Sequence, residues 1–134
     1  MITAVDTNVL LDLFRTDSPF HSQSREWLRR AYNQGAVIVC DLVYAELVPA
    51  FASRASLDAA LRDMGAALSP VDSSIAYEAG LRWKQYRSSG GTRERIITDF
   101  LIGAHAAAMA NSFLTRDLGV YSAYFPELKV PEVS

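Results

Sequence analysis

Residues 2–8, ITAVDTN, decide the fold that the rest of the chain is expected to follow. The four residues before Asp6 favour a short buried strand, and the apolar side chains of residues 9–14 recur at helical spacing. A strand that runs straight into a helix is one half of a βα unit. Units of this kind, repeated along a chain, predict a parallel sheet with helices on both of its faces.

The same alternation continues to the end of the chain. Short apolar segments predict four more strands, at residues 36–40, 67–71, 112–114 and 128–130. Helical spacing predicts helices over about 21–33, 56–66, 73–87 and 98–110. One more helix is expected to begin after an Asp41 N-cap and to be kinked by Pro49. We therefore expect a single α/β domain over residues 1–134, with a parallel sheet of about five strands flanked by helices on both faces.

The composition indicates a well-packed globular protein. The chain has 134 residues, of which 50% are hydrophobic and 21% are charged, and this is too apolar for a disordered chain. A net charge of −2 argues against binding nucleic acid by bulk charge alone, although a local basic patch would still suit a nuclease. The single cysteine, Cys40, allows no intrachain disulfide and fits a reducing cytoplasm. We expect no signal peptide, because the N-terminus has no basic region and Asp6 interrupts its apolar run. We expect no membrane span either, since no apolar run approaches ~18 residues.

Four carboxylates stand at predicted strand ends or helix starts: Asp6, Glu46, Asp99 and Asp117. Asp6 ends the first strand and Asp117 follows the fourth, and ligands of such sheets bind beyond the carboxyl ends of the strands. Glu46 is the only charged residue between Leu42 and Ser53. Each acid also has an ordinary explanation. Asp6 can cap a helix, and Glu46 can lie on a solvated helix face. Asp99 can face a helix dipole, and Asp117 can shape a turn.

If the four acids converge, they raise each other's pKa unless a cation lies between them. A set of hard oxygen ligands indicates Mg²⁺ or Mn²⁺. Asp12 lies ~9 Å along the helix from Asp6, too far to join the same site. His105 faces away from Asp99 on the predicted helix, and no paired His or Cys supports zinc.

Basic and polar residues near the acids are expected to contact the substrate. Arg93 and Arg95 lie in the segment that leads into Asp99, where they can reach phosphates beside a scissile bond. Thr7 and Asn8 add polar groups next to Asp6 that can orient water or the carboxylate itself. The predicted substrate-binding set is Thr7, Asn8, Arg93, Arg95 and Arg116.

Four short motifs together are similar to the PIN-domain ribonucleases, and more narrowly to VapC-type toxins of bacterial toxin–antitoxin pairs. They are Asp6-Thr7-Asn8, Ala45-Glu46-Leu47, Asp99-Phe100-Leu101-Ile102-Gly103-Ala104 and Leu114-Thr115-Arg116-Asp117. The resemblance implies a parallel sheet with flanking helices, a Mg²⁺ or Mn²⁺ site, and endoribonuclease action that leaves a 5′-phosphate and a 3′-hydroxyl. It also implies a homodimer and a cognate antitoxin as partner.

Carried over residue by residue, the resemblance assigns catalytic and metal-binding roles to the acidic quartet of Asp6, Glu46, Asp99 and Asp117. Thr115 matches the hydroxyl that the family places two residues before the last acid. Two positions depart from the commonest pattern. Asp41 stands where serine or threonine is frequent, and Pro49 follows the glutamate closely.

Two other functions fit parts of the sequence. A phosphoacceptor receiver domain is also a doubly wound sheet, but it would leave Glu46 and Asp99 unexplained. It would use four residues: Asp6, Asp72 as the acceptor, Thr115 and Lys129. A non-catalytic PIN-like scaffold is the second alternative, and the presence of all four acids speaks against it.

Overall fold

The computed structural model describes residues 1–90 and 97–130. Within these ranges strands and helices alternate along the chain, as the sequence predicts. The strands are β1 (Ile2–Val5), β2 (Ala36–Cys40), β3 (Ala66–Ser69) and β4 (Ser112–Leu114). The α-helices are α1 (Thr7–Phe14), α2 (His21–Gln34), α3 (Asp41–Leu47), α4 (Arg54–Asp63), α5 (Ser73–Ser88), α6 (Ile97–Met109) and α7 (Leu118–Tyr124), and Val48–Ala50 forms a 3₁₀ turn.

All strand pairs are parallel, and the strand order is β3-β2-β1-β4. Thr3 in β1 pairs with Val37 on one side and with Ser112 on the other. The fifth strand expected at residues 128–130 is reduced to a single parallel bridge between Ser112 and Lys129. The predicted α/β class, a parallel sheet flanked by helices, is confirmed.

The core is formed by the apolar faces of the sheet and the helices that cover it. Four fully buried aromatic rings from α6, β4, α7 and the residue that follows α7 pack together. They are Phe100, Phe113, Tyr121 and Phe125. Because Asp99 precedes Phe100 and Asp117 precedes α7, this packing sets where two of the four acids lie.

Two details around Glu46 differ from the prediction. Cys40, and not Asp41, occupies the N-cap position of α3, and Asp41 instead accepts a hydrogen bond from the Val71 N–H at 3.3 Å. Pro49 does not kink α3, because the α-helix already ends at Leu47 and the proline lies in the 3₁₀ turn that follows. Both changes leave Glu46 in the last turn of a regular helix.

Close packing of α6 leads to a testable prediction. A Cβ added at Gly103 would lie 2.7–2.9 Å from the ring of the buried Phe125. Gly103→Ala is therefore expected to lower the free energy of unfolding by about 1–3 kcal/mol through overpacking. The control is Gly80→Ala inside α5, where a Cβ meets no atom within 4 Å, and which should gain about 0.5–1 kcal/mol. Urea unfolding of both variants measures the difference, and equal effects would contradict the packing argument.

Candidate active site

Asp6 stands at the centre of the polar groups beyond the carboxyl end of β1. It is the N-cap of α1, and its Oδ1 accepts the Thr7 N–H at 2.8 Å. Its Oδ2 accepts the Thr115 hydroxyl at 2.7 Å and, less closely, the Asn8 amide at 3.4 Å. The residue is only 7% exposed. Asp6 therefore caps a helix, as one explanation of the sequence expected, and it also contacts the residue that follows β4.

Thr115 fixes the turn that leads from β4 into α7. Its side chain is buried, and its hydroxyl oxygen accepts the Asp117 N–H at 3.0 Å while its proton goes to Asp6. Asp117 occupies the N-cap position of α7. One hydroxyl thus connects the first and the last acid of the predicted quartet.

Glu46 approaches the same region from α3. Its Oε1 accepts the Thr7 hydroxyl at 2.7 Å, so that the first residue of α1 holds the carboxylate. Thr7 consequently contacts two of the predicted acids, with its N–H on Asp6 and its hydroxyl on Glu46. The structure places Thr7 inside the acidic site as an organising residue.

The charges of all four acids raise the pKa of one buried side chain, Tyr121. Burial raises the pKa of Asp6 to about 6; hydrogen bonds from Thr115 and Thr7 lower it, and the charges of Glu46 and Asp99 raise it. Burial likewise raises the pKa of the Tyr121 phenol. Four carboxylates raise it further: Asp6, Asp99, Asp117 and Glu46. All four carboxylates therefore lie near enough to raise the pKa of the same buried phenol.

Tyr121 was not predicted from the sequence. It lies in α7, a seven-residue helix that no helical prediction covered, and its ring packs on Phe113 with centroids 4.9 Å apart. An aromatic residue four positions after Asp117 is the only local signal. That signal does not distinguish an aromatic residue near the four acids from any other aromatic residue of the core.

The donor chemistry suits a hydrated divalent cation better than a closed cage. In the part of the chain that the structure describes, no three His, Cys, Asp or Glu side chains are grouped closely enough to hold a metal ion. Mg²⁺ keeps several waters and takes one or two carboxylates directly, whereas structural zinc needs four close nitrogen or sulfur ligands. Asp6, Glu46, Asp99 and Asp117 offer hard oxygens only, so they fit Mg²⁺ or Mn²⁺ held partly through water.

The predicted substrate-binding residues have different positions. Asn8 accepts the Arg116 N–H on its Oδ1 at 3.2 Å, so it is bound within the site. The Arg116 guanidinium pairs with Asp12 at 2.6 and 3.1 Å. Arg93 and Arg95 lie outside the described residues. The sequence analysis excluded Asp12 from the metal site. It gave no sign that Asp12 pairs with a residue 104 positions away.

Only two of the four residues of the receiver-domain alternative contact each other, Asp6 and Thr115. Lys129 bridges to Ser112 at the first residue of β4, whereas Thr115 follows the last residue of that strand. Asp72, the expected phosphoacceptor, caps α5 and accepts the Ile75 N–H at 2.8 Å. The structure therefore does not bring Asp72 and Lys129 to the hydrogen-bonded group of Asp6 and Thr115.

No helix among residues 1–90 and 97–130 combines the length and the apolar character needed to cross a membrane.

Comparisons with known proteins agree with this geometry. A search of curated protein sequences gave no match. VapBC-1 from nontypeable Haemophilus influenzae is similar in structure, with a TM-score of 0.74, 17% identity and 98% of each chain covered. FitAcB from Neisseria gonorrhoeae gives a TM-score of 0.70 at 23% identity, over 98% of this chain and 97% of that one. VapC20 from Mycobacterium tuberculosis, described as a sarcin-ricin loop cleaving toxin, gives 0.64 at 18% identity, over 95% and 98%.

At these identities the solved structures establish likeness of fold. The sequence model of the PIN domain matches residues 3–126, which include all four acids and nearly the whole chain. This chain belongs to the PIN domain family.

Proposed function

We propose that this protein is a divalent-metal-dependent endoribonuclease and the toxin of a type II toxin–antitoxin pair. The observation that carries the proposal is a PIN domain in which two hydroxyl side chains connect three of the acids. Thr115 bonds Asp6 and the Asp117 N–H, and Thr7 bonds Asp6 and Glu46. The neighbours support the finer assignment, because they include a toxin-antitoxin complex from Klebsiella pneumoniae and a toxin described as cleaving the sarcin-ricin loop. A non-catalytic scaffold would not need to keep a raised pKa at a buried carboxyl group.

We assign metal binding to the four acids and their orientation to two threonines. Asp6, Glu46, Asp99 and Asp117 would hold Mg²⁺ or Mn²⁺, some directly and some through water. The bound ion would lower the pKa of a coordinated water and neutralise charge on the scissile phosphate. Thr115 orients Asp6, and Thr7 orients Glu46.

Hydrolysis by water determines the products. A carboxylate of the quartet accepts the proton of the water that attacks the phosphorus in line. The bond to the 3′-oxygen breaks, so that one fragment keeps a 5′-phosphate and the other a 3′-hydroxyl. The RNA 2′-hydroxyl takes no part in this reaction. We further propose a homodimer and a cognate antitoxin as partners.

The direct test is metal-dependent cleavage with mapped ends. Purified protein is incubated with total RNA in Mg²⁺, in Mn²⁺ and in excess chelator, and the fragment ends are identified. We expect cleavage only with metal, and 5′-phosphate and 3′-hydroxyl ends. Cleavage that persists in chelator, or 2′,3′-cyclic phosphate ends, would contradict the mechanism.

A further inference from the structure

A second buried carboxylate, Asp12, lies close to the acidic quartet without belonging to it. It is 5% exposed, yet four donors reach its two oxygens. Oδ2 accepts from Arg116 Nε at 2.6 Å and from the Ser24 hydroxyl at 2.9 Å. Oδ1 accepts from Arg116 Nη2 at 3.1 Å and from the Ser18 hydroxyl at 3.0 Å. A buried ion pair is stable only with this degree of hydrogen bonding.

Arg116 is held by its side chain and by its backbone. The two parallel bonds to Asp12 fix the plane of the guanidinium, and the Phe20 ring stacks on it with 4.0 Å between the guanidinium carbon and the ring centroid. The backbone of Phe20 is held in turn, since its N–H donates to the Ser18 hydroxyl at 3.2 Å. The Arg116 N–H donates to Asn8.

Arg116 is the middle residue of the turn 115–117, so its pairing with Asp12 affects both of its neighbours. It lies between Thr115, whose hydroxyl reaches Asp6, and Asp117, whose N–H bonds that same hydroxyl. Anchoring the middle residue of this turn therefore anchors a hydroxyl and a carboxylate of the site. If the guanidinium left for a phosphate, Asp12 would remain buried with only two hydroxyl donors, which opposes the move.

We propose that Asp12 and Arg116 form a positioning pair, which holds the turn 115–117 in the geometry that the acidic site requires. Arg116 is then not a ligand of RNA phosphate. Only the kinetic part of the test rests on the proposed ribonuclease function.

The kinetic test is a double-mutant cycle of Asp12→Asn, Arg116→Gln and the two combined, with an RNA oligonucleotide as substrate. A positioning pair predicts that either single variant lowers kcat by about 10²-fold with little change in KM, since small misplacement of reacting groups costs that much. The double variant should be no worse than either single one, because both remove the same interaction.

A phosphate contact predicts a different pattern. Arg116→Gln alone would then raise KM and lower the slope of binding against salt by about one, while Asp12→Asn would leave cleavage unchanged. That pattern overturns the proposal.

Amide hydrogen exchange tests the pair without relying on activity. The N–H groups of Arg116 and Asp117 donate to Asn8 and Thr115, so their exchange reports the order of the turn. In Asp12→Asn we expect both amides to exchange at least about tenfold faster while the amide of Ala79, buried in the middle of α5, stays protected. Unchanged exchange overturns the proposal. Wild-type protein that cleaves no RNA would defeat the proposed function but leave this measurement decisive.

Controls separate positioning from loss of stability. Leu57→Ala removes a buried side chain of α4, which packs on the edge strand β3, so it should lower Tm but leave kcat unchanged below Tm. Glu26→Gln removes exposed ion pairs with Arg29 and Arg30 and should change neither kcat nor exchange. If Asp12→Asn fails to fold, Arg116→Lys is measured in its place. Lysine keeps the positive charge but cannot make the two parallel hydrogen bonds of the planar guanidinium. Wild-type kcat and exchange in Arg116→Lys overturn the proposal.

Discussion

Asp6→Asn should abolish RNA cleavage and at the same time make the metal-free protein more stable. The carboxylate is buried beside Glu46 and Asp99, and the pKa of Asp6 is raised from 3.8 to about 6. Removing its charge takes away a proposed ligand or base, which typically costs about 10²- to 10⁴-fold in rate. Asparagine keeps an oxygen that can accept the bond from Thr115, so the fold should survive.

The stability gain has a definite pH dependence. Because the folded protein holds the Asp6 proton more tightly than the unfolded chain, wild-type stability falls as the pH rises from about 4 to about 6, and then levels off. At 1.36 kcal/mol per pKa unit, this loss is about 3 kcal/mol above pH 6. In chelator, Asp6→Asn should therefore be more stable than wild type by up to that amount at pH 8, with the difference vanishing near pH 4.

Thermal melts across pH 4–8 in chelator, with cleavage assays in Mg²⁺, check both halves of this prediction. Asp63→Asn is the matched control, since it makes the same chemical change at an exposed position in the last turn of α4. A large loss of stability in Asp6→Asn would mean that the carboxylate acts mainly as a structural cap. Retained cleavage would remove Asp6 from the catalytic set.

The second large effect concerns the proposed antitoxin. An acidic site that cleaves RNA must be silenced in the cell that makes it, and a basic side chain delivered by a partner is a direct means. An arginine can bind two carboxylate oxygens at once and displace the metal or its waters. We expect a segment of the antitoxin to place an Arg or Lys among Asp6, Glu46, Asp99 and Asp117.

Antitoxin binding should then compete with Mg²⁺, and it should weaken when one acid is neutralised. For Asp99→Asn the expected loss of affinity is about 30-fold or more, the range for removing one partner of a buried charge pair. The measurement is Kd for the cognate antitoxin, with and without Mg²⁺, for wild type, Asp99→Asn and the Asp63→Asn control. If neither Mg²⁺ nor Asp99→Asn changes Kd, the inhibitor acts elsewhere, for example by covering the path of the RNA.

Local patterns predicted most of the secondary structure. The strands at 36–40 and 112–114 were predicted with the bounds that the structure shows, because each is a short apolar run between residues that interrupt it. α7 was missed, since seven residues that include Gly119 carry too little helical signal. The N-cap of α3 was predicted one residue too late, at Asp41 instead of Cys40, because aspartate is a favoured capping residue and stands next to the true boundary.

The sequence by itself determined the order of strands and helices and the location of the four acids at element ends, because both follow from side-chain spacing within a few residues. Tertiary structure alone decided that all four acids raise the pKa of Tyr121 and that Arg116 pairs with Asp12. The guanidinium and its partner are 104 residues apart, and the direction in which a long side chain points depends on packing between distant segments. No local pattern records that packing, so the pairing of Arg116 with Asp12 could not be predicted from the sequence.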